Sequence, residues 1–140
     1  MILLDTNVIS EAMRPVPDAR VLHWLDLQAR SSFYLCSTVW SELLTGIELM
    51  PHSKRKTALR ASLGTFRLGL IETTVLAFDE HAATFYAKLV SQAQSKGFQI
   101  SVGDAQIAAI ALMHGMTVAT RDIEPFLAAG AKVLNPWTQA

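Results

Sequence analysis

Ile2-Leu3-Leu4-Asp5-Thr6-Asn7 is an unbroken apolar run stopped abruptly by three polar turn formers. Such a run fits a strand buried on both faces. In an open parallel α/β sheet, sites form beyond the carboxyl ends of the strands. Asp5 stands at such an end. Asn7 taken alone reads as the cap of a helix starting near Val8. Asp5 reads as functional, because three more acids recur at similar places further along.

Val8 to Met13 reads as a short helix stopped near Arg14-Pro15. Pro17-Asp18 opens another, with Val21, Leu22, Trp24 and Leu25 as its apolar side. Phe33 to Cys36 is the second strand. Ser37 or Thr38 is expected to cap the helix that runs through Glu42 to about Met50, where Pro51 ends it. Lys54 to about Leu68 is helical, with Leu59, Leu63 and Phe66 at helical spacing. Thr73 to Leu76, rich in β-branched residues, is a third strand. Asp79 caps a long helix closed by Gly97, and Ser101 to His114 is a helix closed by Gly115. Thr117 to Ala119 is the fourth strand. A short helix spans about Pro125 to Ala129, and Val133-Leu134 could form a fifth strand. Strands alternate with helices throughout. That pattern predicts a three-layer α/β/α sandwich around a parallel sheet of four to five strands, in a single domain over residues 1–140.

The composition bounds the function classes. The chain has 140 residues, enough for one real core, and 51% are hydrophobic. Near Asp104 the longest apolar run is only Ile107 to Met113, so no membrane span is expected. Asp5 falls where a secretory leader would have its apolar stretch, so none is expected. Cys36 is the single cysteine; it reads as a buried, inert thiol and fits a reducing cytoplasm. Acids and bases balance at 12 each, so net charge says nothing about partners. Their distribution says more: Lys54, Arg55, Lys56, Arg60 and Arg67 lie in a stretch with no acid between Glu48 and Glu72. This is either a solvated helix face or a phosphate-contacting patch for RNA.

Four acids occupy equivalent points of the pattern. Asp5 follows the first strand, and Glu42 lies in the first turns of the helix after the second. Asp104 opens the helix before the fourth strand, and Asp122 follows that strand. Parallel strands would bring all four to one end of the sheet. Each has a bland explanation by itself: a capping box for Ser101-Val102-Gly103-Asp104, the helix dipole for Glu42, an Asx turn for Asp122. Their convergence is what those explanations leave out. Two carboxylates 4 Å apart repel by about 4 kcal/mol at an effective dielectric near 20, so a cluster needs a cation or shared protons. Oxygen-only ligation suits Mg²⁺ or Mn²⁺, and such an ion can activate water against a phosphorus centre. Thr6, Ser37 and Thr120 are nearby hydroxyls that could bond metal waters or phosphate oxygens. His23, His52, His81 and His114 are scattered, and there is no glycine-rich phosphate loop, Gly-x-Ser-x-Gly or cysteine pair.

These motifs resemble the PIN-domain ribonucleases of the VapC type, toxins of bacterial toxin–antitoxin pairs, and especially their FitB subgroup. The resemblance rests on Leu-Leu-Asp-Thr-Asn-Val-Ile-Ser-Glu at 3 to 11 and Ser-Glu-Leu-Leu-Thr-Gly-Ile-Glu at 41 to 48. It continues in Gly-Asp-Ala-Gln-Ile-Ala-Ala at 103 to 109, Thr-Val-Ala-Thr-Arg-Asp at 117 to 122 and the closing Asn-Pro-Trp. It covers essentially the whole chain and implies a PIN-domain fold. Asp5, Glu42, Asp104 and Asp122 match the family's acidic positions, with Thr6, Asn7 and Thr120 as auxiliaries. The resemblance implies Mg²⁺- or Mn²⁺-dependent cleavage of RNA leaving a 5′-phosphate, a homodimer, and a small antitoxin partner. The antitoxin's tail would cover the acidic site, and its DNA-binding part would let the complex repress its own operon. Gly103 departs from the small Ala common before the aspartate, and Trp40 is bulky beside Glu42, which bears on pocket shape. Two other readings stand beside this one: a phospho-accepting signalling domain, which would need a partner lysine, and a catalytically inactive PIN-like binding module.

Overall fold

The computed structural model describes residues 1–70 and 75–139. Among them, four short parallel strands form one sheet, β1 (Ile2–Leu4), β2 (Phe33–Tyr34), β3 (Thr117–Ala119) and β4 (Lys132–Leu134), in the order β2-β1-β3-β4. The register sets Leu3 beside Tyr34 on one side and Val118 on the other, and Val118 beside Val133. Successive strand side chains point to opposite faces. Leu3 and Leu4 are both fully buried, as are Val118 and Ala119, so both faces of the sheet are covered. Burying each leucine contributes about 1.5–3 kcal/mol.

Seven helices among the described residues provide that cover: α1 (Thr6–Ala12), α2 (Ala19–Leu27), α3 (Ser37–Glu48), α4 (Lys54–Leu70), α5 (Glu80–Ser95), α6 (Val102–His114) and α7 (Glu124–Ala128). The most deeply set is α6, in which Ile107, Ala108, Ala109, Ile110 and Ala111 are all fully buried. Small alanines let its neighbours approach closely. Ser101 caps its start, accepting from the Asp104 N–H at 3.2 Å. Gly115, at φ 65°, takes the left-handed turn that ends it, a conformation costly to a residue with a Cβ.

The strand order reverses between β1 and β3, which makes the crevice beyond their carboxyl ends the topological switch point. There the Asp5 N–H donates to the Ala119 carbonyl at 3.0 Å, and the Thr120 N–H to the Leu134 carbonyl at 2.9 Å. The tips of three adjacent strands are thereby fixed to one another.

Several local expectations change. The first helix starts at Thr6 and its cap is Asp5, which accepts from the Thr6 N–H at 2.7 Å; Asn7 lies inside the first turn. Neither Ser37 nor Thr38 caps α3, whose N-cap is Cys36 with no side-chain bond. The Ser37 hydroxyl instead accepts from the Phe78 N–H at 3.2 Å, and Thr38 donates to the Gln106 amide oxygen at 3.0 Å. The second strand ends at Tyr34, although Cys36 makes a single parallel bridge to Leu76. Thr73 and Thr74, the first half of the expected third strand, lie outside the described residues. Val133-Leu134 does pair, as part of β4.

Candidate functional site

Asp5 is the centre of the switch-point crevice and is only 6% exposed. Its neighbours orient the carboxylate or the groups that hold it. The Thr6 N–H donates to Oδ1 at 2.7 Å. Thr120 Oγ1 donates to Oδ2 at 2.7 Å, and Asn7 Nδ2 reaches the same oxygen at 3.2 Å. Thr120 in turn accepts from the Asp122 N–H at 3.1 Å, and Asn7 Oδ1 accepts from the Arg121 N–H at 3.2 Å. Asn7 thus stitches the end of β1 to the segment after β3. This bridging role across the sheet has no local sequence signal; only the parallel pairing of β1 with β3 creates it.

All these donors are neutral. They fix the direction of the Asp5 carboxylate without cancelling its charge. Its pKa is raised from 3.8 to about 6, by burial first and also by the charges of Asp104 and Glu42, against the hydrogen bonds from Thr120 and Thr6. Asp104, half-buried in the first turn of α6, is also held above the ordinary carboxylate range, by burial first and then by the charge of Asp122, while Ser101 opposes. The four acids therefore share one end of the sheet and act on one another: Asp5 feels Asp104 and Glu42, and Asp104 feels Asp122.

They do not form a ready-made cage. Among the described residues, no three His, Cys, Asp or Glu side chains are arranged to hold a metal ion by themselves. Thr6 Oγ1 donates to Glu42 Oε2, which draws that carboxylate toward α1. The other oxygen sits against Gly103, where an added Cβ would lie 2.7 Å from Glu42 Oε1. The glycine at 103 leaves the Glu42 carboxylate room beside α6. Asp122 is exposed at the rim. Trp40 packs, partly buried, against the core and takes no part in the groove beside the acid. Cys36 is inert behind the site, its thiol pushed up to about 11 by burial.

A groove of about 430 Å³ runs from Thr6 and Glu42 between α1, α3 and α4, with Ile47 and Leu63 in its wall and Arg14 and Arg55 on its lining. Of the five expected RNA-binding cations, Lys56 is turned inward. It is 6% exposed, and its Nζ donates to the Glu48 and Met50 carbonyls at 3.0 Å each, closing the end of α3. That removes it from any surface patch. Arg60 pairs with Glu48 at 2.6 Å, and Arg67 is half-buried. Lys54 and Arg55 remain exposed at the start of α4. Arg14 lines the groove and Arg121 is tied to the site through its backbone N–H on Asn7; no charge run announces either, because each is an isolated cation in sequence.

A parallel sheet with its switch point between the first and third strands, and carboxylates gathered there, defines a class. The PIN domain family model matches residues 2–132, and the chain belongs to the PIN-domain family. Within it the relatives are specific. Plasmid stability protein StbB of Pseudomonas syringae pv. tomato is 49% identical over 137 residues, spanning 98% of this chain and 99% of its own. Toxin FitB of Neisseria gonorrhoeae is 44% identical over 137 residues, with the same coverage. VapC ribonuclease Y4jK of Sinorhizobium fredii is 44% identical over 140 residues, the whole of both chains. A solved FitAB complex bound to a DNA fragment superposes with a TM-score of 0.93 at 43% identity, covering 100% of this chain and 98% of that one. No helix among the described residues is long and apolar enough to cross a membrane.

Proposed function

We propose that this chain is a metal-dependent endoribonuclease and the toxin of a toxin–antitoxin pair. The observation that carries the reading is Asp5: a buried carboxylate locked in direction by neutral donors, next to two further acids, with its pKa raised to about 6. An anionic focus held this firmly is suited to a cation. The donor set is oxygen-only, which fits Mg²⁺ or Mn²⁺. These hard ions keep several waters and take only one or two carboxylates directly, so a full protein cage is not required. Asp5 and Asp104 would hold the ion, with Glu42 and Asp122 acting directly or through water. A bound ion would supply an activated water and neutralise charge developing on the phosphate.

The chain's own residues do the rest. Thr120 and the Thr6 N–H keep Asp5 aimed, so no reorganisation is needed at the moment of reaction. Thr6 holds Glu42 in reserve beside Gly103. The exposed cations Lys54 and Arg55 act on the RNA backbone without reading sequence.

The names of FitB and the VapC ribonuclease support the toxin and ribonuclease assignments, and the DNA-bound FitAB complex supports a small antitoxin through which DNA is bound. The groove beside Glu42 suits an antitoxin segment that also covers the acids. We place the chain in the cytoplasm, as one PIN domain over residues 1–140 acting as a homodimer. Purified protein is expected to cut single-stranded RNA with Mg²⁺ or Mn²⁺ and to stop on adding EDTA. Undiminished cleavage in excess EDTA contradicts the reading.

A further inference from the structure

We infer that Arg121 grips an RNA phosphate at the edge of the carboxylate site, and that Trp137 holds it ready to do so. The inference rests on the ribonuclease reading and adds to it a substrate contact and a role for the end of the chain.

Arg121 stands between Thr120, which orients Asp5, and Asp122. Its N–H is held by Asn7 Oδ1 at 3.2 Å, so its backbone belongs to the same network that fixes Asp5. Its guanidinium lies 5.4 Å over the ring of Trp137. That residue is 5% exposed and is itself set by the Trp137 N–H donating to Asn135 Oδ1 at 3.0 Å. Cation–π contact uses the face of the guanidinium and leaves its edge free.

The comparison with the other arginines is what singles it out. Arg14 pairs with Glu11, Arg20 with Asp18, Arg60 with Glu48, and Arg30 donates to the Gly69 carbonyl. Arg55, exposed at the start of α4, has no hydrogen bond or ion pair among the described residues either, but no ring sets its direction. Among the described residues, the Arg121 guanidinium has the Trp137 ring but no hydrogen bond or ion pair. Its charge also registers at Asp18, the N-cap of α2, as the smallest of the influences there, behind the hydrogen bonds and charge of Arg20. Arg121 is therefore an exposed arginine whose direction is set while its N–H fork is unoccupied. A fork of that kind matches phosphate bidentately. Pre-setting its direction lowers the entropy lost on binding. On this account Asn135-Pro136-Trp137 is a positioning element acting through Arg121.

The test measures binding of a short, labelled single-stranded RNA of mixed sequence against salt concentration, using full-length protein with Asp104→Asn to prevent cleavage. Arg121→Gln should weaken binding about tenfold and flatten the salt slope by about 0.7. Arg121→Lys, which keeps the charge, should restore the slope. Trp137→Phe, which keeps an aromatic face, should weaken binding less than Arg121→Gln and leave the slope intact. In the cleaving background, Arg121→Gln should raise KM more than it lowers kcat. A merely structural tether for the end of the chain would lower the melting temperature of Arg121→Gln and leave affinity and slope at parental values; that outcome overturns the inference alone. If the unsubstituted chain neither binds nor cuts RNA, the ribonuclease reading falls, and this inference with it.

Discussion

The acidic end of the sheet and the basic start of α4 both crowd like charges, and they handle the crowding in opposite ways. In α4 the charge is relieved locally. Lys56 satisfies two carbonyls at the end of α3, and Arg60 pairs with Glu48. At the sheet end the charge is aimed instead. Among the described residues, Asp5 receives hydrogen bonds only from neutral groups, and its pKa stays raised by burial and by Asp104 and Glu42. Like charges that find partners within the chain serve the fold. Like charges held in place without relief await a partner from outside.

Breaking the acidic side should have the largest effect. Asp5→Asn keeps the shape and can still accept from the Thr6 N–H, but removes the anion that would anchor the metal. Cleavage should fall about a thousandfold, or about 4 kcal/mol of transition-state stabilisation. Wild-type turnover by a folded Asp5→Asn chain would contradict the anchoring role.

The basic side should divide in two. Lys56→Met retains the apolar stem but loses two charge-assisted bonds to the carbonyls that end α3. Urea unfolding should show a loss of about 2 kcal/mol, with RNA affinity unchanged; a stable variant with weakened RNA binding would return Lys56 to the surface patch. The double change Lys54→Gln with Arg55→Gln should do the reverse and more gently. Stability should hold, while the salt slope of RNA binding falls by about 0.7 for each phosphate no longer gripped. An unchanged slope makes the start of α4 an ordinary solvated face.

The same contrast explains what was legible in the sequence. Asp5, Glu42, Asp104 and Asp122 could be assigned to one end of the fold because alternation of strands and helices implies parallel pairing, and parallel pairing places every strand exit on one side. Ser101, Asp79 and Gly115 were legible because capping and left-handed turns are local chemistry. The cap reading of Asn7 and the surface reading of Lys56 failed for one shared reason. Their partners, Arg121 and Thr120 for Asn7 and the end of α3 for Lys56, are fixed by tertiary approach, and charge or capping propensity carries no trace of it. The third strand shrank to the Cys36–Leu76 bridge within the described residues, since β-branched composition favours a strand without supplying its neighbour. Arg121 was invisible for the opposite reason: a lone arginine makes no charge run, and its meaning comes from a tryptophan beyond the last strand.

The Asp5 charge is held uncompensated until a cation arrives, and equilibrium unfolding against pH reads that state. The folded pKa of Asp5, about 6, lies above its ordinary 3.8. Between those values the native state binds more protons than the unfolded state, so stability should fall as pH rises from about 4 to about 6 and stay low above that. In EDTA the loss should be about 3 kcal/mol, with Asp104 adding in the same direction, and much of it should vanish in Asp5→Asn. Adding Mn²⁺ at neutral pH should restore stability to the unsubstituted chain and not to Asp5→Asn. A stability that is flat across this range in EDTA and indifferent to Mn²⁺ would mean that the Asp5 charge is already compensated within the chain.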